Sequence, residues 1–374
     1  MLDSVIQLRN SLTKGVYKYL LKPVFFRNDP EFIHDAMVSF GEFIGRFRIL
    51  KFFLKITYGY KSVVLKQNIL GINFDNPIGL SAGFDKDARL MNVLPSIGFG
   101  FEEVGSVTGN YCEGNPKPRL WRMPKSKGLL VYYGLKNRGA DKIAESMGTS
   151  KYEFPVGVSV AMTNCKANLD IQNAIDDFAK AFRIMESKGD YVTINISCPN
   201  TLGGQPFIDK NNLDQLLARL DTIETQRPVF IKLSPDLNND ELDCLLDVLK
   251  SHRVHGVICA NLTKKRDNPK IIENDLPLVG GVSGEPVREI SNNMISHIYK
   301  REGDRFVIVG CGGVFSAEDA YNKIKLGASL VQMITGLIYE GPQVISEINR
   351  GLVGLLKRDG YKNIEEARGV ESRV

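Results

Sequence analysis

The six cysteines contain no Cys-x-x-Cys pair and stand far apart, at Cys112, Cys165, Cys198, Cys244, Cys259 and Cys311. Of the four histidines only His252 and His255 are neighbours, and no cysteine motif joins them. Both absences argue against zinc and iron–sulfur sites, so no metal is expected, and scattered thiols fit a reducing compartment. No run of about 20 apolar residues occurs, so no spanning helix is expected. The N-terminus lacks a compact apolar core with a small-residue cleavage site, which counts against secretion. No Gly-x-Gly-x-x-Gly follows the first expected strand, which counts against an open dinucleotide-binding sheet.

With 374 residues, 43% of them hydrophobic, the chain can bury a large core, either as one barrel-sized domain with an appendage or as two domains. Most of the 35 glycines fall at strand ends rather than in repeats. Residues 1–66 carry 11 Lys and Arg against 5 Asp and Glu, whereas the rest of the chain carries 37 against 38. The positive surplus therefore belongs to the N-terminal segment, and no nucleic-acid partner is expected of the near-neutral body.

That segment is apolar and basic over residues 4–26. Asn28-Asp29-Pro30-Glu31 is a helix-start signal, a cap residue with Pro in the first turn. Ile33, Met37, Phe40, Ile44 and Phe47 then recur at helical spacing and predict an amphipathic helix with an aromatic face. Two readings stand for it: a helical pair packed on the end of a barrel, or an interfacial pair that puts its apolar face into lipid and its lysines on anionic headgroups.

From residue 75 a regular rhythm begins. Strands are predicted at Pro77–Ser81, Phe101–Val107, Pro155–Ala161, a fourth ending at Cys198, Pro228–Leu233, His255–Ala260, Phe306–Gly310 and Ser329–Ile334. Helices are predicted at Lys86–Leu94 and near 169–188, 211–225, 238–251, 286–301 and 342–357, with another opening at Ser316. Thr108–Asn137 is a polar excursion, a hairpin or a lid. Strand-then-helix units in this number predict an α/β fold, a (β/α)8 TIM barrel over 67–374 with an N-terminal helical extension over 1–66.

The strand ends carry the chemistry. Ile194-Asn195-Ile196-Ser197-Cys198-Pro199-Asn200 sets a thiol between two carboxamides, and Pro199 cannot continue a central strand. Gly310-Cys311-Gly312-Gly313-Val314, Met333-Ile334-Thr335-Gly336 and Val279–Gly284 are glycine-bearing loops at the place where barrels bind phosphate. Lys86 and Lys232 end strands, and Lys232 lies between two apolar residues. Such a cation can stabilise negative charge on a bound ring. Asn195, Asn200 and Asn261 supply amides that donate and accept together, which suits a planar ligand with imide or carboxylate groups. Cys198 could act as a general base if a neighbouring cation or strong donors lowered its pKa, or as a nucleophile.

Taken together, these motifs resemble the dihydroorotate dehydrogenase family, and within it the class 2, membrane-associated, quinone-linked branch. The resemblance spans nearly the whole chain. It runs through Asn28–Glu31, Ser81–Lys86, Glu103-Val104-Gly105-Ser106-Val107-Thr108, Glu113–Arg119, Asn195–Thr201, Gly280–Pro286, Gly312-Gly313-Val314 and Gly327–Gln332. It implies oxidation of dihydroorotate to orotate in pyrimidine biosynthesis, FMN as cofactor, a quinone acceptor and peripheral attachment to the cytoplasmic side of the cell membrane through the N-terminal helices. By the same resemblance FMN phosphate would meet Gly284, Gly313 and Thr335. The flavin ring and ribityl chain would meet Ala82, Gly83, Lys86, Ser106, Asn195 and Lys232, with Ser159 and Ile334 completing the set. Lys86, Asn195, Asn200 and Asn261 would bind the pyrimidine, and Cys198 would take the C5 proton while hydride leaves C6.

The chain departs from the family at several points. Class 2 members carry Ser as the base, and Cys marks the soluble class 1. The family's Asn-Arg-x-Gly-Phe-Asn stretch aligns with Val131-Tyr132-Tyr133-Gly134-Leu135-Lys136, which loses both amides and the Phe; Asn137-Arg138-Gly139 is a shifted replacement. Ser159 stands where Asn is usual, and Leu262 where Thr is usual. These changes leave two further readings open, an FMN oxidoreductase of another dihydropyrimidine or cyclic amide, and an inactive flavin-binding paralogue.

Overall fold

A computed structural model describes residues 2–148 and 151–373. The chain opens with α1 (Leu2–Val16), a π-helical turn over Tyr17–Leu21 and α2 (Lys22–Arg27), which follow one another without a break. Asp29 then caps α3 (Pro30–Gly45), accepting from the Phe32 N–H at 2.8 Å, with Pro30 in the first turn. After α4 (Arg48–Tyr58) a small hairpin of β1 (Gln67–Ile69) and β2 (Ile72–Phe74) leads to β3 (Ile78–Leu80), the short α5 (Leu94–Ile97) and β4 (Phe101–Thr108). A second hairpin, β5 (Leu120–Met123) and β6 (Gly128–Val131), precedes α6 (Ala140–Met147). Alternation follows: β7 (Val156–Ala161), α7 (Ile171–Met185), β8 (Tyr191–Asn195), α8 (Lys210–Asp221), β9 (Val229–Lys232), α9 (Asn239–Lys250) and β10 (Gly256–Cys259). β11 (Gly281–Gly284) pairs antiparallel with β6, and α10 (Arg288–Glu302), β12 (Val307–Cys311), α11 (Ala317–Lys325), β13 (Leu330–Met333), α12 (Thr335–Glu340) and α13 (Val344–Asp359) complete the chain.

β3, β4, β7, β8, β9, β10, β12 and β13 close into one barrel, so the expected (β/α)8 fold with a helical extension is the fold formed. Its interior is graded. At the floor, small residues make room for large ones: a Cβ on Gly79 would stand 2.4 Å from the Phe101 ring, one on Gly157 2.1 Å from Tyr191 and one on Gly256 2.3 Å from Phe230. Phe74 closes this floor edge-on against Phe101, with 5.4 Å between ring centres. The next layer is polar. Glu103 Oε2 accepts from Thr193 Oγ1 at 3.0 Å, Gln332 Nε2 at 3.0 Å and Tyr191 OH at 3.3 Å. Outward side chains such as Ile78, Val158, Ile194 and Ile231 pack under the helices. Above the aromatic floor the barrel thus carries a polar layer, in which Glu103 Oε2 meets three donors.

Several local expectations change. The helix expected over Lys86–Leu94 does not form. Asp85 is buried, its side chain accepts from the Leu90 N–H at 2.6 Å and its carbonyl from the Gly105 N–H at 2.9 Å, which holds the segment as turns. The fourth barrel strand ends at Asn195 rather than Cys198, because Ser197 Oγ takes the Lys232 carbonyl at 2.7 Å where ladder pairing would continue. The polar excursion is the hairpin alternative, with β11 as its third strand. The helices α4, α5, α6 and α12 lie outside the individual helices expected from the sequence. On α3 the expected face is split: Met37 and Phe40 are exposed, whereas Ile44 is buried together with Val38.

Candidate active site

The polar end of the barrel opens into one cavity at the carboxyl ends of the strands. Ala82, Gly83, Lys86, Ser106, Asn195, Cys198, Asn200, Lys232, Asn261, Gly284, Gly313, Ile334 and Thr335 all line it. Ser159 does not: it is fully buried one layer behind, with its Oγ 2.8 Å from Ser106 Oγ. The shorter side chain at this position stops at Ser106 instead of reaching the cavity.

The amides are braced by the protein itself. Asn195 Nδ2 donates to Ser106 Oγ at 2.8 Å, and Asn195 Oδ1 accepts from Asn261 Nδ2 at 3.1 Å. Asn261 Oδ1 accepts from the Leu262 N–H at 2.9 Å. Asn200 Nδ2 donates to the Val131 carbonyl at 2.8 Å, and the Asn200 carbonyl accepts from Asn115 Nδ2 at 2.9 Å. Asn200 Oδ1, in contrast, is buried without a partner among the described residues. It is an acceptor left for a ligand N–H, since buried polar atoms are otherwise nearly always paired. Below them Lys232, 4% exposed, donates to Ser81 Oγ at 3.2 Å, and Cys311 Sγ lies 3.5 Å from the same oxygen.

Burial dominates the site's electrostatics. It pushes the Cys198 thiol up to about 11, against the opposing pulls of the Asn200 backbone N–H and Lys232. A neighbouring cation was the condition for Cys198 to act as a base, and desolvation outweighs the two that pull its value down, Lys232 and Lys264. Burial also pulls the Lys86 ammonium down to about 8. Lys86 Nζ sits 4.0 Å from the centre of the Tyr133 ring and 3.5 Å from His34 Nε2. His34, on α3, also contacts the Phe84 carbonyl at 2.9 Å and Asp35 Oδ1 at 3.1 Å. Burial and then the charge of Lys86 hold its imidazole below the ordinary histidine value.

A glycine cradle lies opposite. Gly284 has φ +88°, and a Cβ there would stand 2.3 Å from the Lys127 carbonyl and 2.9 Å from Thr335 Cγ2. Gly313 has φ +69°, and a Cβ would stand 2.3 Å from Arg288 Cβ. Both positions need glycine for left-handed backbone and close approach. At Gly83, φ +110°, the nearest atom to an added Cβ is Ile334 Cδ1 at 3.9 Å, so only the absent side chain keeps that wall open.

Sequence reasoning missed His34 and Tyr133, both of which line the cavity. His34 gave only the signal of a polar residue within an amphipathic helix, 50 residues from the carbonyl it contacts. Asn137, the shifted replacement for the lost amides, is spent on the backbone: its Oδ1 accepts from the Gly139 N–H at 2.8 Å and its Nδ2 donates to the Leu135 carbonyl at 2.8 Å.

The family model for dihydroorotate dehydrogenase matches residues 64–356. Dihydroorotate dehydrogenase (quinone) of Gloeobacter violaceus is 36% identical over 94% of this chain and 98% of its own length. The protein of the same name from Natronomonas pharaonis is 36% identical over 96% of this chain and 99% of its own. Among solved structures, the ligand-free dihydroorotate dehydrogenase of Eimeria tenella superposes with a TM-score of 0.82 at 28% identity, covering 92% of this chain and 100% of that one.

Proposed function

Because the chain belongs to the dihydroorotate dehydrogenase family, we propose that it oxidises dihydroorotate to orotate in pyrimidine biosynthesis, with a quinone as electron acceptor and FMN as its cofactor. The observation that carries the reading is convergence: the Cys198 thiol, the braced amides of Asn195, Asn200 and Asn261, the ammonium groups of Lys86 and Lys232 and a glycine cradle meet in a single cavity.

The cradle and the open wall at Gly83 suit a phosphate-bearing flavin. Gly284, Gly313 and Thr335 would hold the phosphate, and Ala82, Gly83, Lys86, Ser106, Asn195, Lys232 and Ile334 would hold the ring and ribityl chain, with Ser159 supporting Ser106 from behind. When bound, FMN supplies the acceptor for the hydride that leaves C6 of the substrate. Cys198 is the base that removes the C5 proton, and it does so as the thiolate. Asn200 Oδ1 accepts from a ring N–H, Asn195 and Asn261 keep the ring in register, and the Lys86 ammonium neutralises the substrate carboxylate. The apolar walls at Val131 and Leu262 leave recognition to this short polar set.

We further infer that the helical extension seats on lipid. Among the described residues no helix is long and apolar enough to cross a membrane. Yet Leu8, Leu12, Leu20, Phe43, Phe52 and Phe53 are each between 52% and 64% exposed, far more apolar surface than a soluble face tolerates. Attachment would be peripheral, on the cytoplasmic side. His34, Leu120 and Ile338 line the cavity on the side of the extension, which suits entry of a quinone from that direction.

Anaerobic titration tests the whole reading. The purified yellow protein is expected to bleach on adding dihydroorotate and to regain its colour on adding quinone. A colourless protein that refuses added FMN would overturn it.

A further inference from the structure

The helical extension grips α12, the short helix that begins at Thr335. Tyr17, in the π-helical turn, is 8% exposed, and its OH donates to the Ile338 carbonyl at 2.6 Å. Lys22 Nζ donates to the Tyr339 carbonyl at 3.0 Å and lies 4.9 Å from the centre of that ring. Lys18 Nζ pairs with Glu340 Oε2 at 2.8 Å. Carbonyls in the last turn of a helix have no partner within it, and cations there also meet its negative end. Gly341 has φ +100°, and a Cβ there would stand 2.6 Å from the Tyr17 ring, so the two elements touch without a spacer. Residues five apart stand about 140° around an α-helix. The π-helical turn, closed between residues five apart, brings Tyr17 and Lys22 onto one face.

The opposite end of α12 belongs to the cradle. Thr335 Oγ1 is 2.8 Å from Ser283 Oγ, and a Cβ on Gly336 would stand 2.0 Å from the Val314 carbonyl, next to Gly313. Tyr339 OH donates to the Gly128 carbonyl at 2.8 Å, and Gly128 is paired with Gly284. With 6 residues α12 is a stiff strut under two turns long, and a displacement at Tyr339 is passed to Thr335.

We propose that Tyr17 and Lys22 are positioning residues for the phosphate cradle of Gly284, Gly313 and Thr335, so that the lipid-facing extension also sets how tightly the flavin phosphate is held. The proposal rests on the FMN reading above. Full-length protein stripped of flavin is titrated with FMN and, separately, with riboflavin, which has the ring and ribityl chain but no phosphate. The Tyr17→Phe/Lys22→Met double variant is expected to lose about tenfold in FMN affinity, a fraction of what one neutral and one charge-assisted hydrogen bond are together worth because both act on the cradle through α12, with riboflavin affinity unchanged. Lys22→Gln alone gives a smaller loss with the same selectivity, and Lys22→Arg restores FMN affinity. Equal weakening of both flavins, or unchanged FMN affinity, would overturn the proposal. Wild-type protein that binds neither flavin would instead overturn the FMN reading.

Discussion

The raised Cys198 thiol and the lowered Lys86 ammonium predict a pH dependence that separates the two roles. A thiol held at about 11 is charged in about one molecule in ten thousand at pH 7, and each further pH unit raises that fraction about tenfold. Lys86, with its ammonium at about 8, is charged below that pH and neutral above it. At saturating dihydroorotate, the limiting rate of flavin bleaching under anaerobic mixing is therefore expected to climb about tenfold per pH unit from pH 6 to 9. The substrate dissociation constant is expected to stay level up to pH 8 and then rise by the same factor, as the carboxylate loses its partner. The quotient of the two climbs and then flattens near pH 8. Lys86→Met removes the break in binding and leaves the slope of the limiting rate. Cys198→Ala lowers that rate by about a hundredfold to ten-thousandfold, the usual worth of a positioned base, and leaves substrate affinity within about twofold. A limiting rate that is flat between pH 6 and 9, or a Cys198→Ala variant that bleaches at the wild-type rate, would refute the assignment of the base.

Three other outcomes follow from the geometry. Gly313→Ala puts a side chain 2.3 Å from Arg288 Cβ on a left-handed backbone, a strain of about 1–2 kcal/mol before the clash is counted; the variant should purify folded by circular dichroism but colourless by absorbance. Replacing the exposed Phe43, Phe52 and Phe53 by Ser removes about 1.5–3 kcal/mol of transfer free energy for each ring that enters lipid. Co-sedimentation with anionic vesicles should fall by more than about a hundredfold, while turnover with a water-soluble quinone stays level. Asp85 Oδ1 and both Glu102 carboxyl oxygens are buried without a partner among the described residues, and burial, with their mutual repulsion at Glu102, raises both carboxyls above the ordinary range. The native state then keeps protons that the unfolded chain releases. Their stabilising contribution is complete below the unfolded value of about 4 and is lost as pH rises through the folded values. Thermal unfolding followed from pH 5 to 9 should show a decline in Tm that Glu102→Gln flattens; an equally steep decline in the variant would count against this pair.

The strand-and-helix rhythm was legible because each barrel strand is a short apolar run between turn signals, and each later helix repeats its apolar residues at helical spacing. Misplaced boundaries arose where a side chain replaced backbone pairing. Asp85 draws Leu90 back and so dissolves a helix that propensity alone favours, and Ser197 takes a carbonyl that the strand would have used. The glycine-rich loops, the thiol and the amides were legible as residue types at strand ends. Nothing local marked Ser159 as one layer too deep, since a serine within a barrel strand looks the same whether it faces a cavity or another serine.

The amino-acid order by itself determined the barrel, its helical extension and the set of chemically able residues at one end, because those follow from periodicity and from turn chemistry carried within each segment. Only the tertiary structure decided that His34 meets Lys86, that Asn137 is spent on the backbone and that Asn200 Oδ1 is left free. It also decided that burial raises the Cys198 thiol and lowers the Lys86 ammonium. Desolvation and hydrogen-bond partnership depend on which distant segments close around a group, and that is a property of the packed chain, not of its neighbours in sequence.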